Sequence, residues 1–202
     1  MKKIVFFIVI GILSNKLFSQ AENPHFLMIT PNYSLDNIEP LKAPIGVGIE
    51  GAYFINEWFG TGGKMTTTIM DYSFNDYTST SPAMSYGITA NAYVMKKIYR
   101  DFYIMPSIGF GYAYTSLPKV EKKYIQNNIE VVDEIFGTTF SSILFNPISI
   151  KGFWNFHQDM SAHVSIDYSI AVSNKWPEKT FGEFLSFGIG YTYYLNFKKE
   201  EK

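Results

Sequence analysis

The chain has 202 residues, and its 17 lysines and arginines nearly balance its 18 aspartates and glutamates, which argues against a nucleic-acid partner. It contains no cysteine, so disulfides and a lipoprotein anchor on an N-terminal cysteine are excluded. The length suits a single domain.

The N-terminus has the pattern of an export signal. Met1-Lys2-Lys3 is basic, and an uncharged apolar run follows from Ile4 to Leu13. About ten apolar residues are too few to cross a bilayer as a helix, but they are typical of a secretory signal. We therefore expect residues 1–20 to be a signal peptide, cut after Gln20 or Ala21. An uncleaved N-terminal anchor is the alternative.

The following segments alternate apolar residues with small or polar ones, as strands with two different faces do. Residues 84–94 and 160–170 are clear examples, at the length of about 9–11 residues that a tilted strand needs to span a bilayer. Pro31 removes a hydrogen-bond donor from the first strand and makes it the least regular. In chain order, the predicted strands are 25–34, 45–55, 58–74, 82–95, 102–115, 139–154, 160–172 and 181–197.

The predicted connections alternate between longer and shorter segments. Outer-membrane barrels show this asymmetry, with short periplasmic turns and longer extracellular loops. Seven connections join eight strands, so both ends of the domain would face the periplasm. The connections are 35–43, 56–58, 75–81, 96–101, 116–138, 155–159 and 173–180.

The predicted fold is therefore all-β: an eight-stranded antiparallel up-and-down transmembrane β-barrel over residues 21–197, with a charged tail at 198–202. Charges within the strands, at Glu50, Lys151 and Asp167, share their phase with small polar residues. A lysine or arginine facing lipid at mid-bilayer costs about 2–4 kcal/mol, so the charged phase must face the lumen. A soluble lipocalin-type barrel would show the opposite arrangement.

Outward positions then include Ile88 and Ile166, and inward positions include Thr89 and Ser165. Aromatic residues make up 18% of the chain, as expected when aromatic girdles mark both membrane interfaces.

These features resemble the small eight-stranded outer-membrane β-barrel proteins of the OmpA/OmpX-like, porin-superfamily type. The resemblance rests on the Lys-Lys signal, the alternating strands and a last strand with Tyr191, Tyr193, Leu195 and Phe197 on one face. That strand is similar to the aromatic signal recognised by the barrel-assembly machinery, although five charged residues follow Phe197 here. The resemblance implies the cell outer membrane of a Gram-negative bacterium, with outer-membrane lipids and the assembly machinery as partners. It implies no single activity, because the fold hosts adhesins, assembly factors and enzymes.

The strongest candidate for catalysis lies on one inward face, where His163, Ser165 and Asp167 follow each other at two-residue spacing, with Lys151 nearly opposite. A hydrolase needs a nucleophile, a base and an orienting group in mutual reach. The alternative is that these side chains only fill the lumen, as a narrow eight-stranded barrel requires. Lipid-A deacylases resemble the chain in size, but Ala171 stands where their histidine is expected.

A second inward pair, Glu50 and Lys64, should lie directly across the hairpin centred on Glu57, and we predict a structural ion pair between them. Three scattered histidines without cysteine give no metal-ligand spacing, so no metal or cofactor is predicted.

The connection 116–138 mixes apolar side chains such as Tyr124 and Ile135 with charges. Its flanking strands could extend as a hairpin that offers an edge to a protein partner, or it could be a mobile surface loop. The predicted function is a non-enzymatic surface-recognition or envelope-assembly role carried by the extracellular loops. An outer-membrane lipid-modifying enzyme is the alternative, and a narrow passive pore is the third possibility.

Overall fold

The computed structural model of the protein describes residues 25–35, 41–74, 77–79, 81–126, 129–157, 159–172 and 180–195. The predicted signal peptide, Phe197 and the charged tail lie outside these residues. Among the described residues, no helix is long and apolar enough to cross a membrane. The strands are β1 Phe26–Ser34, β2 Leu41–Phe54, β3 Phe59–Phe74, β4 Tyr77–Ser79, β5 Ala83–Val94, β6 Lys96–Tyr99, β7 Phe102–Leu117, β8 Val120–Gln126, β9 Ile129–Ile135, β10 Thr138–His157, β11 Met160–Val172 and β12 Thr180–Tyr194.

Eight of these strands close into an antiparallel barrel. Their order is β2-β1-β12-β11-β10-β7-β5-β3, and pairing of β3 with β2 completes the circle. The predicted fold is confirmed, including the first strand, which is bonded to both β2 and β12. Pro31 pairs with Val47 of β2 but has no partner residue on β12, so the missing donor falls at a gap in that ladder.

The two ends of the barrel differ, as predicted. At one end, called the turn end here, residues 55–58, residues 100–101 and Asp159 lie between neighbouring strands, and β1 begins and β12 ends there. The loop end lies opposite. The short Asn56 turn is held by its own side chain, whose Oδ1 accepts hydrogen bonds from the backbone N–H groups of Trp58 and Phe59. This local cap explains how so few residues reverse the chain.

Several predicted connections were wrong in extent. β2 already begins at Leu41, inside the predicted connection 35–43, and Tyr77–Ser79 of the predicted connection 75–81 form β4. Residues 96–99 do not form a turn but continue the strand as β6, paired with β7, so the turn is reduced to Arg100 and Asp101. β10 runs on to His157 instead of ending at 154. Residues 120–126 and 129–135 of the long connection are strands β8 and β9, which agrees with the extended hairpin, one of the two alternatives stated for this segment.

The predicted sidedness of the strands is visible in their exposure. Ile88 is 58% exposed whereas its neighbour Thr89 is 5% exposed, and Ile166 is 48% exposed against 2% for Ser165. The outer wall carries aliphatic side chains in its middle and aromatic ones near both ends. Exposed aromatics at the turn end include Tyr53, Tyr99, Phe102, Trp154, Phe156, Tyr191 and Tyr193, and those towards the loop end include Tyr33, Tyr86, Tyr112 and Tyr114, while Phe110 and Phe145 are exposed nearer the middle of their strands.

A bulge in β10 keeps both faces correct along a long strand. The register shifts between Phe145 and Ile148, next to Pro147, which cannot donate to the ladder. Asn146 and Ser149 are therefore both buried, although they are three positions apart in the sequence, and Lys151 points inward. Without this extra residue, one half of β10 would turn its polar side chains outward.

The loop end also carries a small sheet that leaves the barrel. β3 pairs with β4, β4 pairs with β8, and β8 pairs with β9. We call β8 and β9 the outer hairpin, and β4 connects this hairpin to β3 of the barrel. The hairpin departs at Pro118–Lys119 and returns at Phe136–Gly137. A Cβ at Gly137 would lie 2.5 Å from the Leu117 carbonyl oxygen, so the close approach at the hairpin base requires glycine.

Apolar clusters fill the lumen at both ends. At the turn end the cluster is Phe26, Met28, Ala52, Phe54, Tyr93, Met95, Tyr103, Met105, Phe153 and Tyr194. At the loop end it is smaller, comprising Met70, Ala83, Leu117, Phe140 and Ala171. Polar and charged side chains occupy the space between the clusters, where the candidate site lies.

We predict that Gly190→Ala destabilises the barrel strongly, because the new Cβ would lie 2.1 Å from the Ile29 carbonyl oxygen and 2.9 Å from His163 Cε1. Overpacking of this kind costs about 1–3 kcal/mol or more. The free energy of unfolding in urea, measured on protein folded in detergent, tests it. Gly51→Ala is the matched control, since its Cβ would meet nothing closer than 3.8 Å. Equal stability of the two variants would contradict the packing described here.

Candidate functional site

Four buried charges form the centre of the lumen. Glu50 of β2, Lys64 of β3, Lys151 of β10 and Asp167 of β11 are all less than a tenth exposed. Lys64 Nζ lies 3.3 Å from Asp167 Oδ2, and Lys151 Nζ lies 3.1 Å from Glu50 Oε1 and 4.0 Å from Asp167 Oδ1. Two positive and two negative groups give the cluster no net charge.

Both short ion pairs span the barrel. In the circular strand order, β3 and β11 are four strands apart, and so are β2 and β10. In an eight-stranded barrel four steps lead to the opposite wall, so each pair connects facing walls. A barrel of this size is narrow enough for side chains to fill, which lets lysine reach a carboxylate across the lumen.

The predicted ion pair between Glu50 and Lys64 was therefore only half right. The two residues are direct register partners, as predicted. Their ion pairs within 4.0 Å, however, go to Lys151 and Asp167 across the lumen. Each carboxylate thus has a lysine ammonium within 4.0 Å, and that lysine comes from the opposite side of the sheet. These two ion pairs therefore connect strands that are not hydrogen-bonded to each other.

His163 lies nearer the turn end and belongs to a separate hydrogen-bonded group. Its Nε2 is 2.8 Å from Thr30 Oγ1, and its Nδ1 is 2.9 Å from Thr192 Oγ1. In neutral imidazole one nitrogen donates and the other accepts, and a threonine hydroxyl can serve either role. The ring also contacts Phe153, with centroids 5.6 Å apart. Both ring nitrogens are satisfied by neighbours on β1 and β12.

The three residues singled out for catalysis are on one face, as predicted, but the structure does not join them into a relay. His163 bonds to threonines, Asp167 pairs with Lys64, and Ser165 Oγ has no hydrogen-bond partner among the described residues. Lys151 is the register partner of Ser165, as expected, but its ammonium donates to Ser149 and contacts Glu50. A general base would need to contact the serine hydroxyl.

Above the charges, towards the loop end, lies a polar cavity of about 110 Å³ with Lys64 and Asp167 among its lining residues. A cavity of this size has room for several water molecules. Within the described chain, Thr89 Oγ1, Ser142 Oγ and Asn146 Oδ1 lack hydrogen-bond partners, and all three residues line the cavity. Further hydroxyls in the wall come from Ser34, Thr66, Thr68, Ser85, Ser169 and Ser186.

The sequence analysis did not predict the cluster of aromatic side chains that fills the lumen at the turn end, because it treated the inward-facing residues as small and polar throughout. Phe26 contacts Phe54, Tyr93 and Phe153, with ring centroids 5.9–6.2 Å apart. The Tyr194 hydroxyl donates a hydrogen bond to Asn155 Oδ1 over 3.0 Å. The sequence did contain the information, because residues separated by an even number of positions in a strand face the same side. Phe26 therefore points inward with Thr30, and Phe153 points inward with Lys151.

Among the described residues, no group of three or more histidine or acidic side chains is arranged to hold a metal ion. The chemistry available in the lumen is therefore that of paired charges, hydroxyls and one hydrogen-bonded imidazole.

The outer hairpin is the other polar feature. Tyr77 of β4 donates a hydrogen bond to the Asp133 carboxylate of β9, which raises the pKa of the phenol, and Lys122 of β8 lies 5.8 Å from the same ring. At the hairpin base, Lys119 pairs with Glu134 and Glu121, and the bond to Glu134 raises the pKa of the Lys119 ammonium. Specific contacts thus hold the hairpin against its neighbours.

No protein-family model and no curated protein sequence matches the chain. Solved structures do. Ail, the attachment invasion locus protein of Yersinia pestis, aligns with a TM-score of 0.50 at 12% identity, over 85% of this chain and 97% of Ail. Neisserial surface protein A (NspA) aligns with a TM-score of 0.55 at 8% identity, over 85% of this chain and 97% of NspA. At such low identities the likeness establishes the shared barrel fold alone.

We predict that Lys151→Met lowers the free energy of unfolding by about 3–5 kcal/mol, because it leaves the buried Glu50 carboxylate without its cation. The double variant Glu50→Gln/Lys151→Met should recover much of that loss, since no uncompensated charge remains. Urea unfolding of the folded barrel measures both. Lys123→Met on the exposed hairpin is the control and should change stability little. A double variant as unstable as the single one would show that the pair does not act as a unit.

Proposed function

We propose that this protein is an integral outer-membrane barrel without enzymatic activity, exported by a signal peptide cleaved after residue 20 or 21 and used for recognition at the cell surface. Recognition would be carried by the outer hairpin, and the barrel would serve as its anchor. Recognition of the last strand by the barrel-assembly machinery belongs to the same proposal.

The outer wall supports residence in a membrane. Apart from Lys96 near the turn end, the outward positions of the described strands between the aromatic residues at the two ends carry no charged side chain. The large exposed apolar residues there include Ile49, Met65, Ile88, Ile108, Ile150, Val164, Ile166 and Ile189. A water-soluble protein rarely exposes so extensive an apolar surface, whereas a barrel in lipid requires it.

The closed lumen supports a role other than catalysis or transport. The ion pairs cross the middle, and an aromatic cluster fills the turn end, so the polar cavity ends at a floor of paired charges. The one imidazole is engaged by Thr30 and Thr192 rather than by Ser165. Ail is named for attachment and invasion and NspA for the cell surface, and a role of that kind agrees with a barrel whose interior is filled.

The outer hairpin supports recognition. β9 pairs with β8 along seven residue pairs, and its other edge has no strand partner in the described part of the chain. Large apolar side chains stand exposed on and beside the hairpin, with Ile125 78% and Phe136 84% exposed. An open edge flanked by apolar side chains is the surface to which an extended segment of another protein can add as a strand.

The orientation can be tested by cysteine labelling, because the chain has no native cysteine. With Ile125→Cys, intact cells should react with a membrane-impermeant maleimide, since the hairpin would project from the cell. With Glu57→Cys, in a turn-end connection, intact cells should not react until the outer membrane is permeabilised. Labelling of both sites, or of Glu57→Cys alone, in intact cells would contradict the proposed topology.

Recognition and catalysis can be separated with two variants. Replacing residues 120–135 by a short Gly-Ser linker should abolish binding of surface partners captured by a photo-crosslinker at residue 81, while the barrel remains heat-modifiable in gel electrophoresis. His163→Ala/Ser165→Ala should leave both the capture and the cellular lipid profile unchanged. A changed lipid profile in this second variant, measured by mass spectrometry, would favour the lipid-modifying enzyme instead.

A further inference from the structure

One segment at the turn end, made of β6 and the turn that follows it, differs in charge from the other turn-end connections. Residues 96–101 contain Lys96, Lys97 and Arg100 with Asp101 as the only acid, which leaves a net charge of +2. The connection at 55–58 contains Glu57 and no lysine or arginine, and the described part of the connection at 157–159 contains Asp159 and no lysine or arginine. Among the described residues of this rim, positive charge is therefore concentrated on the hairpin of β6 and β7.

The same hairpin presents apolar side chains directly beside its charges. Ile98, Tyr99 and Phe102 are 61%, 59% and 50% exposed. Phe102 stacks on Trp154 of β10, with ring centroids 6.4 Å apart and an interplanar angle of 11°. Tyr99 and Phe102 are register partners, so these rings extend the outer wall up to the turn. Cations next to exposed aromatic rings are the arrangement expected at the level of lipid headgroups.

Arg100 occupies a backbone position that favours a different residue. Its φ is 39°, and among the described non-glycine residues it alone has a positive value. Glycine or asparagine would adopt this conformation at lower cost. The turn is fixed on the neighbouring strand by a hydrogen bond from Asn155 N–H to the Asp101 carbonyl oxygen. The arginine side chain lies over Tyr99, with Cζ 5.2 Å from the ring centroid, so the guanidinium is held beside the aromatic rim.

We propose that this hairpin binds the phosphate of an anionic glycerophospholipid, with Arg100 and Lys96 on the headgroup and the Tyr99, Phe102 and Trp154 rings against its acyl chains. A guanidinium binds phosphate through paired N–H donors, and a lysine adds a point charge. Lys96 is the register partner of the outward-facing Ile104, so it lies on the membrane side of the strand, whereas Lys97 pairs with the inward-facing Tyr103. The inference rests on the proposed membrane location.

The proposed lipid lies in the bilayer leaflet at the turn end of the barrel. Lipid A also carries phosphate, but it would occupy the opposite leaflet, at the loop end. Each basic residue near an anionic membrane surface contributes about 1 kcal/mol, which corresponds to roughly a fivefold change in affinity. Loss of Lys96 and Arg100 together should therefore weaken retention of the lipid by about 25-fold.

The experiment uses the full mature chain folded in phosphatidylcholine nanodiscs, with and without phosphatidylglycerol, and native mass spectrometry of the lipids that stay bound. The wild type should retain phosphatidylglycerol in preference to phosphatidylcholine. K96Q/R100Q should lose the preference, whereas K122Q/K123Q, which removes the same charge from the outer hairpin, should keep it. Nanodiscs with lipid A should show no difference between wild type and K96Q/R100Q.

Three results would overturn the proposal: no preference in the wild type, an equal loss in K122Q/K123Q, or a loss of lipid A retention that matches the loss of phosphatidylglycerol. Heat-modifiability of each sample shows separately whether the barrel has inserted. A chain that inserts in none of the nanodiscs would refute the membrane location and the lipid site together. A chain that inserts and shows no preference would refute the lipid site alone.

Discussion

Pairing of the buried lumen charges is the constraint on which the rest of the structure depends. Glu50, Lys64, Lys151 and Asp167 come from four strands and can neutralise one another only if all four strands have their present register. A slip of one residue in any strand would turn its charge towards the outer wall and its isoleucines inward. Removing one charge leaves its partner buried and uncompensated, which is more costly than never having had the pair. The cross-lumen pairs thus specify the register of the barrel, whatever their net contribution to its stability.

Filling of the lumen also limits the space inside the barrel. Ion pairs cross the centre of the lumen, and aromatic rings pack its turn end. In the described part of the chain, side chains therefore occupy the path from one end of the lumen to the other. The cavity above Lys64 and Asp167 is polar and small, and its hydroxyls come from many strands without a nucleophile–base contact. What remains accessible is the two rims. The loop end presents a strand edge and apolar side chains, and the turn end presents cations beside aromatic rings.

The alternation of residues was sufficient to predict the strands and their faces, because a period of two is a local property. It correctly placed Ile88 and Ile166 outside, and Thr89 and Ser165 inside. It also made Glu50 and Lys64 register partners, since a short turn defines which residues of a hairpin face each other. It could not give their ion-pair partners, because Lys151 and Asp167 reach them only after the sheet has curved and closed. Contacts across a lumen depend on closure, and no local pattern encodes them.

The long connection shows the other limit. The sequence left an extended hairpin and a mobile loop open for it, and it could not predict that β8 pairs with β4, a three-residue strand in a segment read as a loop by composition. Each of these segments is too short or too polar to be recognised alone, and the sheet exists because three strands and contacts such as Tyr77–Asp133 support one another. The same logic applies to Arg100, whose positive φ no alternation rule predicts. Arg100 and the small sheet of β4, β8 and β9 both lie beyond the regular barrel strands, at the two rims, where alternation no longer constrains the chain.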